Sequence, residues 1–202
     1  MVDVAVLALE EVGAQILARE PVNGVRIVGV DGPSGSGKTT LARRLAAAMS
    51  DVTVVAIDDF VSWQDVAGWW PRFDAQVLTP LLAGQDARYQ VRDWFGDELG
   101  SSLNGWKTAP WRPLVVFEGV TCTRRVTVGR LAYSIWVEAP RPLRLERGIR
   151  REGEAKAHLW SSWMRDEDAF FSADGARERA DLRVDGDPQV PHDPARDVVT
   201  LD

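Results

Sequence analysis

The chain has 202 residues, of which 45% are hydrophobic and 27% are charged, a composition that excludes a largely disordered chain. The formal net charge of −6 excludes a protein whose main function is to bind a nucleic acid polymer or an anionic membrane, because such partners require a basic face. The chain has a single cysteine, Cys122, which we expect to be buried. It shows no visible signal peptide and no apolar run long enough to span a membrane. Together these features predict a cytoplasmic protein.

The first part of the chain alternates between predicted helices and short apolar strands. Residues 3–19 place apolar side chains along one helical stripe, which predicts a first helix. Apolar, β-branched runs at 25–30 and 52–57 are typical of strands buried on both faces, and residues 38–49 between them predict a helix.

Residues 61–112 differ from the rest, since they hold six tryptophans and few long apolar runs. They predict one helix near 74–83 with long loops around it. The remaining predicted elements are strands at 114–117, 133–137 and 182–184, helices at 141–153 and 155–171, and an irregular tail over 188–202. The alternation predicts an α/β fold in which a parallel sheet of about five strands carries helices on both faces, as one domain over residues 1–202.

A phosphate-binding motif follows the strand predicted at 25–30. The segment GPSGSGKT matches G-x-x-x-x-G-K-[ST], the P-loop, at every fixed position. Its glycines let backbone N–H groups wrap an anion, and the helix that follows directs its free N–H groups at the same place. Lys38 would reach the β- and γ-phosphates, and the Thr39 hydroxyl would bind Mg²⁺. The residues predicted to bind the nucleotide are Gly32, Ser34, Gly35, Ser36, Gly37, Lys38, Thr39 and Thr40.

Two acids come directly after predicted strands. Asp58 ends the strand at 52–57, and Glu118 ends the strand at 114–117. Ligands of parallel sheets bind outside the carboxyl ends of the strands, so both carboxylates can face the γ-phosphate. A carboxylate there can accept the proton of an attacking hydroxyl or hold Mg²⁺. The neighbouring Asp59 fits a helix N-cap.

Several strings in order resemble the uridine kinase/phosphoribulokinase/pantothenate kinase family over roughly residues 25–187: GPSGSGKTT, AIDDF, VVFEG, an arginine-rich helix and ERADLRV. The resemblance implies a three-layer P-loop NTPase fold that uses ATP and Mg²⁺. It implies that Asp58 is the base facing the substrate hydroxyl and that Glu118 lies near the metal. Val61 stands where members acting on uridine usually carry an aromatic residue, so the resemblance predicts the reaction more firmly than the substrate.

The arginine-rich segment 141–153 resembles the mobile lid that closes over ATP in that family. Arg144, Arg147 and Arg151 fall at i, i+3 and i+7, on one helical face. Arginine suits phosphoryl transfer because its planar fork holds two oxygens and stays charged. Arg147 and Arg151 are the favoured catalytic pair, and the alternative is a solvated basic face paired with neighbouring glutamates.

The region 61–112 occupies the slot where that family inserts its acceptor-binding elements. Its pairs of charged and aromatic residues can stack on a ring and bond to hydroxyls. The predicted acceptor-binding residues, besides Asp58, are Trp70, Arg72, Asp74, Tyr89, Asp93 and Trp94. The alternative is that the tryptophans form a satellite core under long loops.

The predicted function is an ATP-dependent kinase that phosphorylates a hydroxyl of a nucleoside-like or other polar metabolite. One alternative is a nucleoside monophosphate kinase, which would need arginines such as Arg72, Arg88 and Arg92 for a second anion and no base. Another is a regulatory NTP-binding or ATPase module, although the guanine-reading N-K-x-D is absent. The expected partners are ATP and a small-molecule acceptor, with no nucleic acid polymer and no membrane, and a homodimer is possible.

Overall fold

The computed structural model describes residues 4–202, which form a seven-stranded sheet and a separate two-stranded ribbon. The strands are β1 (Val4–Ala8), β2 (Arg26–Asp31), β3 (Val52–Ala56), β4 (Ala87–Arg92), β5 (Leu103–Ala109), β6 (Leu114–Glu118), β7 (Tyr133–Glu138), β8 (Leu182–Asp185) and β9 (Asp197–Leu201). The helices are α1 (Leu9–Leu17), α2 (Lys38–Ala48), α3 (Trp70–Phe73), α4 (Thr79–Leu82), α5 (Arg141–Glu152), α6 (Ala157–Asp174) and α7 (Ala176–Arg179). A π-helical segment, Asp74–Leu78, joins α3 to α4, and 3₁₀ turns lie at Ile57–Asp59, Arg125–Thr127 and Glu154–Lys156.

The sheet order is β1-β9-β8-β7-β2-β6-β3. The five strands from β8 to β3 run parallel, which confirms the predicted parallel α/β sheet. The predicted total of about five strands is too low, because β9 and β1 extend one edge as antiparallel strands.

Both added strands fall where the sequence pattern predicts something else. β1 occupies the start of the helix predicted over 3–19, of which residue 3 lies outside the described residues, and α1 begins only at Leu9. β9 occupies part of the tail predicted to be irregular over 188–202. The two strands pair along five residues, from Val4 opposite Leu201 to Ala8 opposite Asp197, so a long-range ladder overrides the local pattern.

The two faces of the sheet carry separate cores, which confirms the three-layer arrangement. Alternate residues of β2 point to opposite faces, so Val28 packs with α1 and α2 whereas Ile27 packs with α6 and the region 61–112. Cys122 is buried on the second side, as expected. Within residues 4–202, no helix combines the length and apolar composition needed to cross a bilayer.

The region 61–112 contains more regular structure than predicted. The helix predicted near 74–83 begins earlier, at Trp70, and includes the π-helical segment. The ribbon of β4 and β5 replaces a predicted loop. Six of the seven residues of β5 are exposed, so the strand lacks the apolar alternation that reveals a half-buried strand in a sequence. Trp69 is buried in the core, as the satellite-core alternative predicts for the tryptophans.

Candidate active site

A cavity of about 200 Å³ opens beside the carboxyl ends of β3 and β6, over the start of α2. Most of the residues predicted to bind nucleotide or metal, or to act in catalysis, meet around it. Its lining consists of Ser34, Gly35, Gly37, Lys38, Thr39, Thr40, Asp58, Glu118, Gly119, Val120, Arg147, Gly148 and Arg151. Of the predicted P-loop residues, Gly32 and Ser36 are not on this lining.

The backbone of the P-loop forms a cradle whose shape depends on glycine. Gly32, Gly35 and Gly37 have φ values of 137°, 79° and 108°, in the region that favours glycine. A Cβ atom at Gly32 would lie 2.0 Å from the carbonyl oxygen of Val137. The helix α2 that follows has no side-chain cap at Gly37 and no acidic residue in its first turn. Its free N–H groups are therefore available to an anion, so the loop fits a nucleotide phosphate.

The P-loop lysine already spans the loop. Lys38 is 7% exposed, and its Nζ atom donates a hydrogen bond of 3.0 Å to the carbonyl oxygen of Pro33. The ammonium group thus lies inside the cradle, where it can reach a phosphate that the backbone amides hold.

The start of the P-loop is held by Asp31, which was not among the residues predicted from the sequence. This fully buried carboxylate accepts hydrogen bonds from the amides of Gly32, Thr121 and Thr123, each 2.7 Å long, and from the Thr123 hydroxyl at 2.8 Å. Burial raises the pKa of Asp31, while these hydrogen bonds oppose the shift. The carboxylate therefore ties the P-loop to the segment that follows β6. Its only sequence signal is an acid at the end of the apolar run VRIVGV.

We expect Asp31→Ala to lower the free energy of unfolding by about 3 kcal/mol or more, because it strands several buried donors that cost roughly 1–3 kcal/mol each. Urea denaturation of both proteins measures this difference. The exposed Asp166→Ala serves as the matched control. A loss below about 1 kcal/mol for Asp31→Ala, no more than a typical surface change, would contradict the role assigned to this carboxylate.

Thr39 and Glu118 form an oxygen pair at the cavity. The Thr39 hydroxyl lies 3.3 and 3.2 Å from the two carboxylate oxygens of Glu118, which ends β6. Hydroxyl and carboxylate oxygens are the donors that Mg²⁺ prefers. No group of three or more His, Cys, Asp or Glu residues able to hold a metal occurs within residues 4–202. The pair therefore fits an ion whose other ligands are phosphate oxygens and water.

The pKa of Glu118 is raised from its ordinary value of 4.5, chiefly by burial and then by the nearby charge of Asp58. A carboxyl with a higher pKa in the folded state stabilises the fold at pH below 4.5, and this contribution is lost as the pH rises through the raised value. Glu118→Gln replaces this carboxyl with an amide that does not titrate. The free energy of unfolding of the ligand-free variant should therefore fall less than that of the wild type as the pH rises toward neutral. The same variant should lose the magnesium-dependent stabilisation by ADP.

Thermal melts over a pH series, with and without Mg²⁺ and ADP, measure both effects of Glu118→Gln. A variant with the wild-type pH profile and an intact magnesium-dependent rise in melting temperature would contradict the assignment of Glu118.

Asp58 and Asp59 face different surroundings. Asp58 is exposed in the 3₁₀ turn after β3 and lines the P-loop cavity. Asp59 provides no helix cap. Its carboxylate accepts hydrogen bonds from Lys107, at 2.7 and 3.0 Å, and from the Tyr89 hydroxyl, at 3.3 Å. Asp59 therefore ties the ribbon to the end of β3, and Asp58 is the acid of this pair that lines the P-loop cavity.

The arginine-rich helix α5 packs against the P-loop. Arg147 donates hydrogen bonds of 3.2 Å to the carbonyl oxygens of Gly35 and Gly186, and it lies 3.3 Å from Asp187. Arg151 also lines the P-loop cavity. The two arginines favoured from the sequence are thus both placed at the cavity.

The third arginine of that helical face is part of the fold. Arg144 is 5% exposed and lies 3.5 Å from the fully buried Glu167 of α6. Glu167 also accepts hydrogen bonds from the Ser34 amide at 2.7 Å and from the Trp163 indole at 2.8 Å. Glu167 was not predicted, because two of its partners, Ser34 and Arg144, are distant in the sequence.

A second cavity, of about 370 Å³, shares Thr39 and Glu118 with the first. It lies between α2, the edge of β3 and the ribbon. Its other lining residues are Ala42, Arg43, Val54, Ala56, Asp59, Tyr89, Lys107 and Thr108. Of the residues predicted to bind the acceptor, Tyr89 alone lines this cavity, and Asp58 lines the first.

The other predicted acceptor residues line neither of these two cavities. Trp70 packs on Trp69 and Phe73. Asp74 forms an ion pair of 2.6 Å with Arg130. The remaining three bond within the fold: Arg72 and Trp94 to backbone carbonyls, and Asp93 to the Gly96 amide.

Known proteins resemble the chain chiefly in fold. A structure of a possible uridine kinase from Bacillus stearothermophilus matches with a TM-score of 0.61 and 21% identity, over 87% of this chain and 96% of that one. A candidate fructose transport system kinase from Silicibacter sp. TM1040 matches with a TM-score of 0.57 and 22% identity, over 80% and 92% of the two chains. No curated protein matches the chain. The sequence family described as an AAA domain matches residues 28–169, which is more than half of the chain, and the chain belongs to that family.

Proposed function

We propose that the chain is an ATP-dependent kinase that transfers the γ-phosphate to a hydroxyl of a small polar metabolite. The observation that supports this most strongly is that the P-loop cavity and the second cavity meet at Thr39 and Glu118. A nucleotide in one cavity and an acceptor in the other would bring the reacting atoms together at this pair. The second cavity also has the size of a small-molecule site, typically about 300–1,000 Å³.

The chemistry follows the general scheme of phosphoryl transfer. The acceptor oxygen forms a bond to the γ-phosphorus, and the bond from phosphorus to the bridging oxygen breaks, so its electron pair leaves with ADP. Asp58 orients the hydroxyl and takes its proton. Lys38, Arg147 and Arg151 stabilise the charge on the transferring group. Magnesium bound at Thr39 and Glu118 would offset the charge of the β- and γ-phosphate oxygens.

The second cavity suits a metabolite with both apolar and polar parts. Ala42, Val54 and Ala56 form an apolar wall, and Tyr89 and Lys107 add hydrogen-bonding groups. The pKa of Tyr89 is raised by burial and by Asp59, so its hydroxyl stays neutral at physiological pH and can accept a hydrogen bond while it donates to Asp59. We infer that the acceptor is placed by this cavity.

Two observations favour a hydroxyl acceptor over the phosphate acceptor of a nucleoside monophosphate kinase. Arg72 and Arg92 donate to backbone carbonyls, and Arg88 stacks on the exposed Trp106 ring at 4.5 Å. Both cavities contain the Thr39 and Glu118 pair, and none of these three arginines is part of the lining of either cavity. Asp58 provides the base that a hydroxyl acceptor needs and a phosphate acceptor does not.

Acceptor-dependent ADP formation tests this proposal. The purified chain with Mg²⁺ and ATP is supplied in turn with nucleosides, sugars, vitamin alcohols and nucleoside monophosphates, and ADP release is compared with the rate without acceptor. We expect at least one alcohol to raise the rate severalfold. ADP release that no acceptor increases would indicate an ATPase, and a response to monophosphates alone would indicate the other kinase class.

A further inference from the structure

Three consecutive backbone carbonyls shortly after β3 accept hydrogen bonds from side chains of the region 61–112. The indole of Trp94 donates a hydrogen bond of 2.9 Å to the carbonyl of Asp58. Arg72 lies 3.5 Å from the Asp59 carbonyl and 3.1 Å from that of Phe60. Arg92 donates to the Phe60 carbonyl at 2.7 Å. We call Trp94, Arg72 and Arg92 the carbonyl collar.

The turn that carries Asp58 is short and depends on such contacts. It comprises only Ile57–Asp59 and is closed by hydrogen bonds from the amides of Phe60 and Val61 to the Ile57 carbonyl, at 2.8 and 3.1 Å. One 3₁₀ turn fixes few dihedral angles by itself. The direction of the Asp58 side chain is therefore set in part by whatever holds its carbonyl.

The arginines of the collar are themselves held rigidly. Arg72 stacks on the Phe60 ring at 4.5 Å and also donates to the carbonyl of Gln90 in β4. Burial, followed by the neighbouring charge of Arg92, lowers the pKa of Arg72 to about 10, so the group stays charged at neutral pH. Arg92 donates a second bond of 2.7 Å to the Ser101 carbonyl.

Trp94 is held by close packing on Gly100. A Cβ atom at Gly100 would lie 2.6 Å from the indole ring, and the φ value of this glycine is 64°. The loop can therefore bring its backbone against the ring only because residue 100 is glycine. The indole N–H is thus aimed at the Asp58 carbonyl by a packed surface.

We propose that Trp94 is a positioning residue that orients Asp58 for proton transfer through its bond to the Asp58 carbonyl, with Arg72 and Arg92 holding the next two carbonyls. This inference rests on the proposed function, in which Asp58 is the base. It assigns Trp94 and Arg72, predicted to bind the acceptor, to the support of the catalytic turn.

Trp94→Phe tests the proposal, since it keeps a ring on Gly100 and removes the N–H donor. We expect amide hydrogen exchange at Phe60 and Val61 to become about two- to tenfold faster, the effect of one lost hydrogen bond. With the best acceptor, kcat should fall by a similar factor or more while the KM for ATP stays unchanged. Trp106→Phe, in the exposed strand β5, is the matched control and should change neither quantity.

The Asp58→Asn background separates positioning from a general structural effect. If Trp94 acts through Asp58, Trp94→Phe should change turnover little once Asp58 is already replaced. Unchanged exchange at Phe60 and Val61, or an equal loss of turnover in both backgrounds, would overturn the inference. A wild-type chain without acceptor-dependent turnover would instead overturn the proposed function, and the exchange measurement would still decide whether Trp94 holds the turn.

Discussion

Asp58→Asn is expected to lower kcat by about 10²–10⁴-fold, the range for loss of a general base, while the affinity for ATP changes little. The asparagine keeps the shape of the side chain but cannot take the proton of the acceptor. Asp58 is exposed at the cavity, so the substitution leaves no buried group without a partner. Steady-state kinetics with the best acceptor, together with nucleotide titration, measure both quantities.

Asp166→Asn, on the exposed side of α6, is the control for this substitution and should retain wild-type turnover. Turnover of Asp58→Asn within a few-fold of wild type would show that another group accepts the proton.

Lys38→Ala is expected to weaken nucleotide binding by roughly 10- to 100-fold, the effect of losing one charge-assisted hydrogen bond to phosphate. It should also lower kcat by about 10²–10³-fold, because the ammonium stabilises charge that develops on the transferring group. Both losses should appear together, in contrast to Asp58→Asn. Calorimetric titration with ATP and a turnover assay measure them.

The surface substitution Arg165→Ala controls for the loss of a positive charge elsewhere in the chain. Because Lys38 is buried and bonds to Pro33, circular dichroism is needed to test whether Lys38→Ala is folded. A folded Lys38→Ala protein with wild-type nucleotide affinity would contradict the assignment of the P-loop as the phosphate site.

The parts of the fold that the sequence predicts well are those encoded locally. β2, α2 and the P-loop between them lie within one residue of their predicted bounds. Each of these elements is a continuous run with its own signal: an apolar strand, a glycine-rich turn or a helical stripe. The placement of Asp58 and Glu118 at one cavity follows from a general property of parallel sheets.

Elements that depend on long-range pairing are predicted poorly. β1 and β9 form a ladder between opposite ends of the described chain, and β5 is an exposed strand with one partner. None of these has a local pattern strong enough to separate it from a helix or a loop. Only the contact with the partner strand decides the conformation.

The supporting residues of the site are hidden for a related reason. The donors that Asp31 and Glu167 bind include backbone amides, and every residue has an amide, so no residue type marks the partner. Arg72 and Trp94 show how a residue type can point elsewhere. A charged or aromatic residue near a site suggests a ligand, whereas in the structure both side chains donate to backbone carbonyls of the segment that carries Asp58.

The measurement that tests the central claim most directly is a calorimetric titration of the full chain with ATP, in Mg²⁺ and then in excess chelator. The cradle of backbone amides beside Lys38 and the oxygen pair of Thr39 and Glu118 predict clear binding that weakens markedly when magnesium is removed. Absence of binding to ATP or to any other purine triphosphate in the presence of magnesium would contradict the account.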